Sequence, residues 1–430
     1  MRSGISSKLF ALASVGALAL AGCGGGGDDG SVELEFLVGT SPDEVALAEA
    51  MVEAFVAENP NVSISVDTRP GGGEGDNLVK TRLSTGEMAD IFIYNTGSLF
   101  QAINPDQTLV PVGDQPWIDD LDEDFLTTVS TDEGVYGQAW GATFAGGMLY
   151  NKAVYAELGL EVPETWDEFM ANNEAIAATD VAPIIQTYGD TWTAQIFVLA
   201  DYANIDAVDP DWAEEYTAGN RKYAEQPGLR GFEKHQEVAE AGFFNEDYPS
   251  ASEADGARML ATGEGAHYPW LSNVITLVEQ NNPEAVEDIG FFPIPADEAE
   301  NTQATQWQAT GLYVPQSTEG EAREAALAFQ EFVGSEKGCE LQNEHFNPAG
   351  PYPGACELPE DIAPVVTDIE AYVDEGRSAP ALEFLSPIKG PNLEHILVEL
   401  GSGITDAETA AARYDEDVVN QARQLGLEGW

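Results

Sequence analysis

Apolar and polar residues alternate through Val32-Glu33-Leu34-Glu35-Phe36-Leu37-Val38, the two-residue period of a half-buried strand. Between Pro42 and Glu58 the apolar positions shift to Val45, Ala48, Val52, Phe55 and Val56, which is helical spacing. Val62-Ser63-Ile64-Ser65-Val66 alternates again. The Gly71–Gly75 run then reads as a break, and Leu78, Val79 and Leu83 as a short helix ending near Gly86. After Asp90 the stretch to Tyr94 is continuously apolar, as in a fully buried strand. The order β-α-β-α-β predicts an α/β fold with a mainly parallel sheet and helices on both faces.

The same reading continues down the chain. Strands are predicted over 134–140, 147–152, 289–295 and 311–315. Thr165 precedes Trp166-Asp167-Glu168-Phe169 as a helix cap. Further helices are predicted over 191–203, 321–333, 393–401 and 407–425. No internal repeat is visible.

Charge narrows the function. The 430 residues hold 76 acidic side chains against 17 basic ones, a net charge of −59. With 43% hydrophobic residues the chain still has material for a core. The imbalance argues against nucleic acid, where Lys and Arg must neutralise phosphates. It argues equally against anionic lipid and strongly anionic ligands. The plain explanation is a solvated acidic surface suited to salt.

Arg2 and Lys8 precede an apolar run from Leu9 to Ala21, too short to span a bilayer and of secretory type. It ends in Leu20-Ala21-Gly22-Cys23, which resembles a bacterial lipobox. That resemblance implies cleavage of residues 1–22, lipid attachment at Cys23 and a Gly-rich tether over 23–31. An ordinary signal peptide with a chance cysteine is the alternative. An exported chain with Cys23 lipidated leaves Cys339 and Cys356 as a disulfide pair, the alternative being two free thiols.

Several segments carry a further resemblance. Ala89-Asp90-Ile91-Phe92-Ile93-Tyr94 is one. Met148-Leu149-Tyr150-Asn151-Lys152, then Gly159 to Pro163 and Thr165-Trp166-Asp167-Glu168-Phe169, is the most specific. Gly263-Glu264-Gly265-Ala266 with Pro269-Trp270, Gly290 to Pro295, Gly311 to Pro315 and Ala326 to Val333 complete the set. Together, over about 32 to 350, they resemble the bacterial extracellular solute-binding proteins of family 1, the maltose-binding-protein-like receptors of ABC importers. The resemblance implies a two-lobed periplasmic-binding-protein fold of type II. Its discontinuous lobes would cover 32–143 plus 308–348 and 144–307 plus 349–430. Three crossings, near 142–146, 305–309 and 347–353, would form the hinge.

Sugar binding needs flat aromatic faces for CH groups and short polar side chains for hydroxyls. The resemblance implies ligand contacts from Ser41, Tyr94, Asn95, Trp140, Tyr188, Asp190, Trp192, Trp270, Trp307 and Gln308, with Asn347 and Tyr352 flanking the third crossing. At Gln308-Ala309-Thr310 the chain departs from the family's Gly-Gly pattern. For each aromatic the alternative is an ordinary core side chain. Trp166 is assigned to structure, and Trp117, Trp212 and Trp430 to an acidic, surface-like setting. The acidic run Asp119–Asp124 lacks a calcium-loop pattern and the four histidines lack zinc spacing, so no metal or cofactor is expected.

The implied function is capture of a neutral sugar or oligosaccharide by lobe closure. Delivery to an ABC permease would follow, by a monomer lipid-anchored on the outer face of the cytoplasmic membrane. The alternatives are a non-sugar solute (a polyamine, an amino acid derivative or a glycerophosphodiester) in the same fold, or an extracellular glycoside-active enzyme. No catalytic residues are marked.

Overall fold

A computed structural model describes residues 31–430 apart from Asn347, Glu360, Asp361, Glu428 and Gly429. The expected signal segment, Cys23 and the tether up to Gly30 lie outside the described residues, as does Asn347.

Two sheets organise the rest. The first has the order β2-β1-β3-β10-β4, built from β1 (Val32–Gly39), β2 (Val62–Arg69), β3 (Ile91–Tyr94), β4 (Gly137–Trp140) and β10 (Thr310–Tyr313). The second has the order β11-β9-β5-β7-β6, with β8 also paired to β5. Its strands are β5 (Phe144–Asn151), β6 (Ala182–Ile184), β7 (Gly265–Leu271), β8 (Ile289–Phe292), β9 (Ala304–Trp307) and β11 (Ser378–Pro380).

Strand direction explains how the sheets are joined. β1 runs parallel to β2 and β3, whereas β10 is antiparallel to both β3 and β4. In the second sheet β5 is antiparallel to β7, β8 and β9, while β6 and β11 run parallel to β7 and β9. Each sheet is thus parallel except for one reversed strand. That strand is the one entering directly from the other sheet: β4 leads to β5 through 141–143, and β9 leads to β10 through 308–309. The chain passes a third time between the helix Glu336–His345, packed on α1 (Pro42–Glu58), and the helix Pro364–Asp374, packed on β8. The Thr143 amide and hydroxyl donate to the Pro351 carbonyl (2.9 and 3.0 Å), so this last passage runs beside the first.

The cores follow the patterning. α1 turns Leu47, Ala48, Met51 and Phe55 inward. Phe55 meets Phe329 edge-on at 5.3 Å, and Phe329 meets Phe36 at 5.4 Å. Each such ring contributes roughly 1.5–3 kcal/mol on burial. In the second lobe Thr165 and Glu168 form a reciprocal capping box. Trp166 is buried, its Nε1 donating to Glu237 (2.6 Å). A helical layer over the second lobe encloses Trp212, stacked on Tyr216 at 4.8 Å. Its expected surface setting is therefore corrected: its acidic neighbours in sequence face out while the indole fills the space between Tyr202, Tyr216 and Tyr223. Trp117 is buried as well.

Two other expectations change. The Gly71–Gly75 run is no break, because α2 (Gly72–Thr85) begins inside it. At Gly75 a β-carbon would stand 1.9 Å from the Pro70 carbonyl oxygen, so only glycine fits that turn. The apolar stretch 191–203 is split into a 3-10 turn (Thr191–Gln195) and the short helices Ile196–Leu199 and Tyr202–Val208. Cys339 and Cys356 are joined by a disulfide, 17 positions apart with Cα atoms 5.2 Å apart.

Candidate functional site

The carboxyl ends of β1, β2 and β3 point to one edge of the first sheet, the edge at which open parallel sheets bind ligands. They carry Ser41, Arg69, Tyr94 and Asn95. Facing this edge from the second lobe are the loop 187–195, the end of β7 and the start of the helix Glu253–Thr262. The two sides touch. A β-carbon on Gly71 would lie 3.7 Å from Trp192 Nε1, and one on Gly72 would lie 3.4 Å from Trp192 Cβ.

An aromatic wall stands on the second-lobe side. Trp192 and Trp270 have ring centroids 4.6 Å apart at 54°, and Trp270 and Tyr268 are 4.6 Å apart at 31°. Tyr268 and Trp270 share a face of β7 because side chains alternate along a strand. The Tyr268 hydroxyl lies 3.0 Å from Thr187 Oγ1, which fixes the ring from behind. Trp270 is 2% exposed, whereas Trp192 is only half-buried and keeps an open edge.

Carboxylates frame this wall. Asp190 Oδ2 accepts from the Glu253 amide at 2.8 Å. Burial, followed by the charges of Asp190, Asp43 and Glu44, pushes the Glu253 carboxyl up to about 7. Asp43 and Glu44 belong to the first lobe and Asp190 and Glu253 to the second, so the four groups gather from both sides. Glu44 is also raised by burial, against the pull of Arg69 and the Gly39 amide. Ser41 donates its hydroxyl to Asp43. Among the described residues no group of three or more His, Cys, Asp or Glu is placed to hold a metal.

The expected residues divide. Asp190, Trp192 and Trp270 come together, and Ser41 adjoins them through Asp43. Tyr188 departs: it points into the helical layer, its hydroxyl 2.8 Å from His235 Nε2, and is 4% exposed. It belongs to the same loop as Asp190 and Trp192, but the ring turns inward because Gly401 leaves space for it. Trp140 packs in the first-lobe core against Phe36 at 5.6 Å. Trp307 lies across Gly146, where a β-carbon would be 2.4 Å from the indole, and donates Nε1 to Glu383 at 2.5 Å. Tyr94 is fully buried, its ring covered by the Arg69 guanidinium at 5.4 Å. Asn95 and Gln308 are partly exposed. The Asn95 carbonyl accepts from Tyr313, and Gln308 lies in the second crossing.

Comparison with known proteins decides the family. The model of the bacterial extracellular solute-binding proteins matches residues 39–338. The chain belongs to this family. Among curated relatives is the "Multiple sugar-binding protein" of Streptococcus mutans, 23% identical over 265 residues. The match covers 60% of each chain, so the solute-binding protein spans about three-fifths of that relative's length. The solved structure of a "Chitin oligosaccharide binding protein" superposes with a TM-score of 0.78 at 22% identity, covering 91% of this chain and 99% of the other. That of RafE in complex with raffinose gives 0.73 at 19%, covering 92% and 100%. At these identities the likeness establishes the two-lobed fold.

Sequence reasoning missed several groups gathered at this edge of the solute-binding protein. Tyr268 was legible, since it alternates with Trp270. Arg69, Glu44, Glu253 and Glu394 carried no signal, being single members of a large charged set or strand-end residues.

Proposed function

We propose that this protein captures a neutral sugar or oligosaccharide between its lobes and delivers it to the permease of an ABC importer. In this reading it works outside the cytoplasmic membrane, held by lipid at Cys23. The lobes divide at the passages near 143, 307 and 348, and the 141–143 and 308–309 links bend as the cleft shuts. The observation that carries the reading is the Trp192–Trp270–Tyr268 wall facing the Gly71–Gly72 backbone of the opposite lobe. A wall of tilted aromatic rings opposite main-chain amides fits a sugar's apolar face and hydroxyl rim. The relatives' sugar-binding names support the same class. Nothing in this arrangement requires chemistry on the ligand.

A second reading rests on Asp43, Glu44, Asp190 and Glu253, whose gathered charge favours a cationic solute in the same cleft. Tryptophan-fluorescence titration separates the two. The panel is chitobiose, raffinose, stachyose and mannobiose against spermidine and glucosamine. Saturable quenching by a neutral sugar, lost in Trp192→Ala and without product formation, is the expected result. Binding confined to the amines would replace the sugar reading.

A further inference from the structure

Glu394 sits near the start of the second-lobe helix Leu393–Gly401, and it is 6% exposed. Among the described residues its ion-pair partner is His395, at 3.5 Å, and that imidazole is 62% exposed. A carboxylate so covered is costly to desolvate unless something compensates it. What lies against it is the other lobe. Oε2 of Glu394 lies 2.9 Å from the β-position of Gly72, and Oε1 lies 3.2 Å from that of Gly73. These glycines form the first turn of α2, where unpaired N–H groups and the helix dipole place positive potential.

α2 needs such a partner. Its cap residue is Gly71, which offers no side-chain acceptor. Its first turn, Gly72-Gly73-Glu74-Gly75, holds three glycines, each roughly 1 kcal/mol poorer than alanine in a helix. The same glycines remove the side chains that would keep Glu394 away. Trp192 closes over Gly71 and Gly72 beside it. The helix end, the glycine run and the buried carboxylate thus form one inter-lobe contact.

We propose that Glu394 is a positioning residue that holds the lobes shut by seating its carboxylate on the first turn of α2. This rests on the reading of the cleft as one that opens and closes. It also accounts for ligand charge, because the anion position at that helix end is filled by the protein itself.

The test uses the full chain without ligand. Small-angle scattering reads the separation of the lobes, and amide hydrogen exchange reads residues 71–75. Glu394→Gln keeps the shape and removes the charge. It is expected to enlarge the radius of gyration and speed exchange at 72–75 by roughly fivefold or more, with little change in melting temperature. Gly73→Val displaces the carboxylate from the other side and must produce the same opening. Wild-type scattering in either variant overturns the latch, as does faster exchange with unchanged lobe separation, which would mark a local cap only. Sugar titration of the wild type is read separately: if none of the panel binds, the functional reading fails while scattering still decides the latch.

Discussion

Trp192 and Trp270 meet at 4.6 Å with their planes 54° apart, and of the two only Trp192 keeps an edge open to the cleft. The pair therefore separates affinity from stability. Trp192→Ala is expected to weaken sugar binding roughly tenfold or more, from about 1.5–3 kcal/mol of lost apolar burial, with a small change in melting temperature. Trp270→Ala removes a packed core ring too and should cost about 3–5 kcal/mol of stability. Calorimetric titration and thermal unfolding of the two variants check the split.

Glu253 titrates upward in the folded state, from an ordinary 4.5 to about 7. A carboxyl raised by folding binds more protons in the native than in the unfolded chain. Its penalty is absent below about pH 4.5, grows up to about pH 7 and is complete above that. Glu253→Gln should stabilise the protein at pH 8, by up to about 3 kcal/mol, and change little at pH 4.5. Denaturant unfolding at the two pH values is the measurement; equal effects at both would show that Glu253 is ionised freely.

The Cys339–Cys356 bridge ties the first turn of the helix Glu336–His345 to the segment that follows the third passage. Gln342, in that helix, accepts from the Gly141 amide of the first crossing at 2.9 Å. Reduction should cost about 3 kcal/mol by freeing the unfolded loop. Melting with and without dithiothreitol, and of the Cys339→Ser/Cys356→Ser double variant, should agree.

Basic side chains are shared out thinly. Arg230 alone serves Glu233, Glu237 and Asp297, at 3.7, 2.6 and 2.7 Å. Asp119, Asp120, Asp122 and Glu123 stand exposed without such a partner in any described ion pair. Screening this self-repulsion should raise the melting temperature between low and molar sodium chloride. A flat or falling profile would show that the acids are already compensated.

Periodic segments were legible in sequence because a single rule decides them. α1 and the helix Leu393–Gly401 fall where their apolar spacing places them. α2 was only half visible, since its glycines are explained by what lies in space beside them, Pro70 and Glu394, and not by their neighbours in sequence. The candidate site divides in the same way. Strand ends and the Tyr188–Trp192 loop could be located, but not which rings turn outward. Tyr188 goes inward because Gly401 and His235 receive it, and those residues lie far along the chain. Trp140 and Trp307 likewise stand at the crossings yet spend their rings on packing.

The reversed strand β10 has a consequence for biogenesis. It lies between β3 and β4, so the first sheet stays in two pieces until residues 310–313 have been synthesised. The second sheet waits longer, for β11 at 378–380. A growing chain therefore cannot complete the first sheet until nearly three-quarters of its residues have been made, nor the second until residue 380. A fragment ending before Thr310 should accordingly melt without a cooperative transition.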